Sequence, residues 1–158
     1  EEKREESAAG RDLRKVAVAL RESGSYSGAL EIDFRGFARL YEYMNSLSER
    51  HRHSCYLVMV TMDTMRDQTM YMEQIEEALG CMERAIRLAI RKVDICTRYS
   101  AMQYLIILFE PEESQIPKVM ERIFMQYYHL YEKGDFKPDY EYILMSEKKQ
   151  KETDIIHP

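Results

Sequence analysis

Ile90-Arg91-Lys92-Val93-Asp94-Ile95-Cys96-Thr97-Arg98-Tyr99-Ser100-Ala101-Met102-Gln103-Tyr104-Leu105-Ile106-Ile107-Leu108-Phe109 holds two apolar runs that meet at a short polar hinge. Asp94–Tyr99 and Gln103–Phe109 each have the length of a strand, and so short a connection lets them pair only as an antiparallel hairpin. Immediately upstream, from about Thr69 to Arg91, the residues Met72, Ile75, Leu79, Met82, Ile86 and Ala89 recur at spacings of three and four. That periodicity predicts a helix running into the hairpin with one core-facing stripe. Cys55 to Met62 is a nearly unbroken apolar run, which fits a strand buried on both faces. Downstream, Glu110-Pro111 stops the second hairpin strand. A helix from about Glu113 to Glu132 then carries Ile116, Val119, Met120, Ile123, Tyr127 and Leu130 inward, Gly134 ends it, and Tyr140 to Met145 supplies a last strand.

Strand, helix, strand, strand, helix, strand is the split βαβ order of ferredoxin-like and nucleotide-cyclase-like α+β folds, with a central antiparallel sheet covered on one face by two helices. Right-handed crossovers put the first strand beside the hairpin in the middle of the sheet. The expected sheet has the hairpin at its centre, flanked by the strands containing Leu57 and Ile143. Two further helices precede this βαββαβ core. Arg11 to Glu22 places Leu13, Val16, Ala17 and Leu20 at helical spacing before Ser23-Gly24-Ser25 stops it, and a helix from about Asp33 sets Phe34, Phe37, Ala38, Tyr41, Met44 and Leu47 on one face. The chain divides accordingly into a charged tail and linker helix (1–22), one domain (23–146) and a C-terminal tail (147–158).

The 158 residues, 45% of them hydrophobic, suffice for one core and are short for two. A net charge of -5 gives no general attraction for a polyanion, and Lys148-Lys149-Gln150-Lys151 reads as a solvated tail, so nucleic acid is not an expected partner. Cys55, Cys81 and Cys96 lie far apart in apolar, periodic surroundings, as reduced thiols in a cytoplasmic protein do. No apolar run approaches the roughly 18 residues that span a bilayer. The chain starts Glu1-Glu2-Lys3-Arg4-Glu5-Glu6 without a methionine and reads as a piece of a longer protein, whose other domains would be partners.

The hairpin resembles that of GGDEF domains, the bacterial diguanylate cyclase module. That family reads Arg-x-x-Asp, then Arg-Tyr, then Gly-Gly-Asp/Glu-Glu-Phe and an apolar strand. Here Arg91, Asp94, Arg98 and Tyr99 keep the spacing, and Ser100-Ala101-Met102-Gln103-Tyr104 stands where the signature would be. The resemblance runs from about Gly28 to Met145. The family's opening Asp-x-Leu-Thr-Gly-Leu-x-Asn-Arg is answered by Gly28-Ala29-Leu30-Glu31-Ile32-Asp33-Phe34-Arg35-Gly36-Phe37, with Asp33 at the Asn and Phe37 as the aromatic, and without Thr-Gly-Leu. At the end of the first strand, where the family has Asp-x-Asp, Thr61-Met62-Asp63-Thr64-Met65 puts either Thr61 or, with a two-residue slip, Asp63 at the metal-ligand position. The family's Asn-Asp and Gly-His elements are missing.

The resemblance implies a nucleotide-cyclase-like fold and a dead catalytic site. Joining two GTP molecules needs divalent cations on hard carboxylate oxygens, and Met102 and Gln103 supply a thioether and an amide. Asp63 alone is a weak metal candidate, so no metal and no cofactor are expected. Signature glycines permit positive φ and close approach of a nucleotide, which Ser100 and Ala101 do poorly. Arg91 and Asp94 match the family's inhibitory site for cyclic di-GMP, where a guanidinium and a carboxylate grip phosphate and guanine. The same two residues also read as the cationic last turn of a helix and its exit.

Other constellations read as packing or solvation. His51 and His53 beside Cys55 lack the third and fourth convergent ligands of a zinc site. The pairs Glu76-Glu77 and Glu112-Glu113 read as solvated charge. Most of the eleven methionines fall on core stripes, whereas Tyr127, Tyr128, Tyr131, Tyr140 and Tyr142 are hard to bury in full and mark a candidate interface. The function expected is a non-catalytic GGDEF-like regulatory domain of a bacterial signalling protein that binds a ligand (cyclic di-GMP or another nucleotide) or a protein, including a second copy in a homodimer. The alternatives are an active diguanylate or other nucleotide cyclase and a structural dimerisation domain acting through the Arg11–Glu22 helix.

Overall fold

A computed structural model describes residues 13–21, 30–51, 53–64 and 72–145. The expected helix stop at Ser23-Gly24-Ser25, the first turn of the helix predicted from Thr69, and both charged tails lie outside the described residues. In chain order the elements are α1 (13–21), β1 (Leu30–Glu31), α2 (Phe34–His51), β2 (Cys55–Thr64), α3 (Met72–Ala89), β3 (Ile95–Ser100), β4 (Gln103–Phe109), a 3-10 turn (Glu113–Gln115) leading into α4 (Ile116–Leu130), and β5 (Phe136–Leu144). The fold is α+β with the ferredoxin-like βαββαβ core and extra N-terminal helices.

The sheet runs β1-β3-β4-β2-β5. β2 lies in the interior, antiparallel to β4 from Cys55 to Thr61 and to β5 from Tyr56 to Thr64. This corrects the expected strand order, because the strand containing Ile143 pairs with β2 at the far edge and does not flank the hairpin. The other flank of the hairpin is only β1, which pairs in parallel through Leu30 with Ile95 and Glu31 with Cys96. β5 also starts four residues earlier than read from sequence. Pro138 falls within the added half, where an edge strand tolerates a missing N–H.

Each face of the sheet is apolar and each is covered differently. α3 and α4 pack Met82, Ile86, Met120, Ile123 and Tyr127 onto Val58, Val60 and Ile106. On the opposite face α2 lays Phe37 and Met44 against Cys55, Ile95, Ile107 and Met145. The buried stripe of α2 runs Phe37, Met44, Ser48, so Phe34 and Ala38, expected on it, are exposed, as is Met72 on α3. α2 starts where it does because the Asp33 carboxylate accepts the Gly36 amide at 2.9 Å, an N-cap. A Cβ on Gly36 would stand 2.9 Å from that same oxygen, so a larger residue there requires the Asp33 side chain to shift. Pro117 in the first turn of α4 and Gly134 at φ +68° after it bound the second long helix.

Three of the five tyrosines belong to the core. Tyr127, Tyr131 and Tyr142 are buried, Tyr127 stacks on Tyr131 with ring centroids 5.8 Å apart, and Tyr131 donates to Asp135 at 2.9 Å. Burial, with Asp135 alongside, pushes the Tyr131 hydroxyl up to about 12. Tyr128 is the exposed member of the group.

The Tyr127 hydroxyl has no hydrogen-bond partner among the described residues although the side chain is fully buried. Tyr127→Phe removes that desolvated group and keeps the ring. It is expected to leave stability unchanged or raise it by about 1 kcal/mol, read as the urea midpoint. A loss of stability would show that the hydroxyl is satisfied.

Candidate functional site

The residues singled out in the sequence fall at two ends of the β3–β4 hairpin, and the two ends have different chemistry. At the turn, Arg98 lies opposite Tyr104 and Ser100 opposite Gln103, so Tyr99 is the extra residue of a bulge. Among the described residues only Glu110 and Gly134 have positive φ, so Ala101 and Met102 make this turn without the left-handed backbone that paired glycines allow. The Met102 carbonyl accepts the Met62 amide at 2.8 Å, tying the turn to the end of β2.

Inside the turn the polar atoms satisfy one another. Gln103 Nε2 donates to Thr61 Oγ1 at 3.2 Å, and Ser100 Oγ donates to Gln103 Oε1 at 2.9 Å. Thr61, one of the two candidates for the ligand position, is therefore part of a neutral network with the residue at the signature's acidic position. Asp63 is exposed at the strand end, opposite Lys137 in the β2–β5 register. Among the described residues no three His, Cys, Asp or Glu side chains converge as a metal site would require, His51, His53 and Cys55 included. A divalent cation does not fit the residues at this turn: a hydroxyl and an amide already paired with each other offer no anionic oxygen.

The charge at the turn belongs to Arg98. Its guanidinium donates a fork to the Glu76 carboxylate on α3 at 2.9 and 3.1 Å and reaches the Ala101 carbonyl at 3.3 Å. The fork holds the Glu76 carboxyl below its ordinary range. The sign follows from linkage: the contribution is present above the ordinary carboxylate range and is lost as pH falls through the lowered value. Glu76 and Glu77 are exposed, as read from sequence, and each also pairs with a cation, Glu77 accepting Lys133 at 2.9 Å. The distance of 22 residues between Glu76 and Arg98 hid the first pair, since no short-range pattern encodes it.

At the other end, Asp94 is 1% exposed and its carboxylate is fully engaged. Oδ2 accepts the Arg91 amide at 2.8 Å and Oδ1 accepts the Phe109 amide at 3.0 Å, while the Arg91 guanidinium approaches both oxygens at 3.4 Å. Arg91 also donates to the Phe109 carbonyl. The two motif residues are brought together, but chiefly onto each other and onto the chain. Beside them, between the end of α3 and the start of α4, lies a recess of about 300 Å³ reached by Arg91, Asp94, Glu110, Pro111, Gln115 and Arg122. Arg122 donates to the Ala89 carbonyl at 3.0 Å, in the last turn of α3.

No protein-family model matches the chain, and no curated protein sequence does. Solved structures do match in fold. A DGC protein from Thermotoga maritima has a TM-score of 0.60 at 16% identity, over 73% of this chain and 82% of its own. The diguanylate cyclase SiaD from Pseudomonas aeruginosa, in complex with its activator SiaC, has a TM-score of 0.65 at 16% identity, over 93% of this chain and 60% of its own. The coiled coil and GGDEF domain of DgcB from Caulobacter crescentus, in complex with c-di-GMP, has a TM-score of 0.59 at 10% identity, over 89% of this chain and 79% of its own. The fold of this chain is that of GGDEF domains.

Removing the Asp94 carboxylate leaves two backbone amides without their acceptor, one of them in the sheet, and frees Arg91. Asp94→Ala is expected to cost about 2–4 kcal/mol in urea unfolding. A cost below about 0.5 kcal/mol would show that these contacts do not hold the hairpin.

Proposed function

We propose that residues 23–146 form a non-catalytic GGDEF-fold regulatory domain of a bacterial cytoplasmic signalling protein, acting through protein interaction. The observation that carries this reading is the closed neutral network Thr61–Gln103–Ser100 at the turn where a cyclase would hold its metal ions. A carboxylate pair there would hold the divalent cations that neutralise triphosphate charge, and an amide and a hydroxyl bonded to each other offer no such ligands. The experiment is incubation of the purified chain with GTP and magnesium or manganese, with products resolved by chromatography. No cyclic di-GMP above a no-enzyme control is expected, and its appearance would overturn the reading in favour of an active cyclase.

A second reading, binding of cyclic di-GMP at Arg91 and Asp94, is favoured by one observation: the Arg91 side chain is 56% exposed beside the recess that Arg122 also lines. Against it stands Asp94, which would have to release backbone amides to accept a guanine edge. Calorimetry with cyclic di-GMP decides between the two. If heat is released, Arg91→Ala should weaken binding ten- to hundredfold, the loss of a charge-assisted contact of about 1.5–3 kcal/mol. Arg98, forked to Glu76, is a structural residue and makes a poor control, so Lys118→Ala on the exposed side of α4 takes that role.

A further inference from the structure

The sheet face that α2 covers is not filled by α2 alone among the described residues. Beside α2 a groove of about 470 Å³ is walled by Phe34, Ala38 and Tyr41 and floored by Met59, Tyr99 and Leu105. It continues over Leu57, Met59 and Leu105 into a shallower recess of about 150 Å³ that reaches Ile143 and Glu141 on β5. Phe34 and Tyr99 are about half exposed, with ring centroids 5.5 Å apart at the mouth. So continuous an apolar strip on the surface of a small domain marks a docking site.

The same chain carries a helix with the complementary surface. α1 sets Leu13, Val16, Ala17 and Leu20 on one stripe, with Leu13 71% and Val16 53% exposed. Its charges are Arg14, Lys15 and Arg21 with no acidic residue over 13–21, while the only charged residues among the described lining of the two recesses are Glu42 and Glu141. The lengths agree too: nine helical residues span about 13.5 Å, and the strip from β3 to β5 crosses three strand spacings, about 14 Å. No residue of 13–21 is among the described lining of either recess, so α1 is not seated on its own groove.

We propose that this groove receives helix α1 of a second copy of the chain, stripe down, with the basic residues of α1 toward Glu42 and Glu141. Reciprocal exchange gives a two-fold dimer in which both apolar surfaces of both copies are covered. This inference rests on the interaction-module reading above, and its experiment reads association and not turnover, so that failure of one is distinct from failure of the other.

The test uses the full 158-residue chain. Sedimentation velocity over a concentration series should show a monomer–dimer equilibrium. Val16→Asp on α1 and Ala38→Glu on the groove wall, both at exposed positions that leave the fold intact by circular dichroism, should each raise the dimer dissociation constant at least tenfold. In a Cys81→Ser background, mixing Val16→Cys chains with Tyr99→Cys chains should yield a disulfide-linked heterodimer under mild oxidation. A chain that stays monomeric at 200 µM (on the order of the protein concentrations used for weak association) overturns the proposal. So does a dimer sensitive to Val16→Asp but not to Ala38→Glu, with Val16→Cys chains linking to each other, since that is helix–helix pairing. Within-chain linkage of Val16→Cys to Tyr99→Cys in one monomer overturns it as well, because the occupant is then the chain's own helix.

Discussion

One buried carboxylate holds the hairpin in register. Asp94 accepts the amide of Arg91 at the exit of α3 and the amide of Phe109 at the end of β4, so a single side chain fixes where the helix stops, where β3 begins and where β4 ends. With that contact made, Ile95 falls opposite Ile107 and Cys96 opposite Ile106. A slip of one residue would turn Ile106, which belongs under α3 and α4, onto the face covered by α2. An unpaired carboxylate in this place would be very costly to bury, and Arg91 and the two amides make it stabilising instead. A motif that in sequence reads both as a ligand grip and as a helix exit therefore has a structural duty that comes before any binding.

The hairpin, β2 and the two long core helices were legible because each is strongly periodic and each period reports a face that is buried. What could not be read was set by long-range geometry. Nothing local to Phe136–Leu144 says that it pairs with β2 and not with β3, and its first half, Phe136-Lys137-Pro138-Asp139, has the composition of a loop. The tyrosines misled for a different reason: a hydroxyl suggests exposure, but Tyr131 finds Asp135 four residues on, and Tyr127 is buried without a described partner. Of the site, the neutral character of Met102 and Gln103 is plain in the sequence, whereas the Gln103–Thr61 contact needs β2 beside β4, and the groove walled by Phe34 and Tyr99 needs three elements at once.

The turn between β3 and β4 is closed by neutral groups and needs no ion to hold its shape. Paired carboxylates at a strand end repel each other unless a cation lies between them. Amide, hydroxyl and carbonyl groups in their place form hydrogen bonds that close the turn without any ion. The cation that remains is the guanidinium of Arg98, and its fork to Glu76 joins the hairpin to α3.

Pro138 has a consequence for the outer margin of the sheet. Because the Met62 amide points to the β4 side, where it meets Met102, its partner Pro138 directs its own nitrogen away from β2, toward the outer side of β5. A donor is therefore missing from the row of backbone groups that β5 would offer an incoming strand, and Lys137 and Asp139 flank the gap with exposed charge. A missing donor flanked by charge makes this border a poor template for edge-to-edge strand pairing.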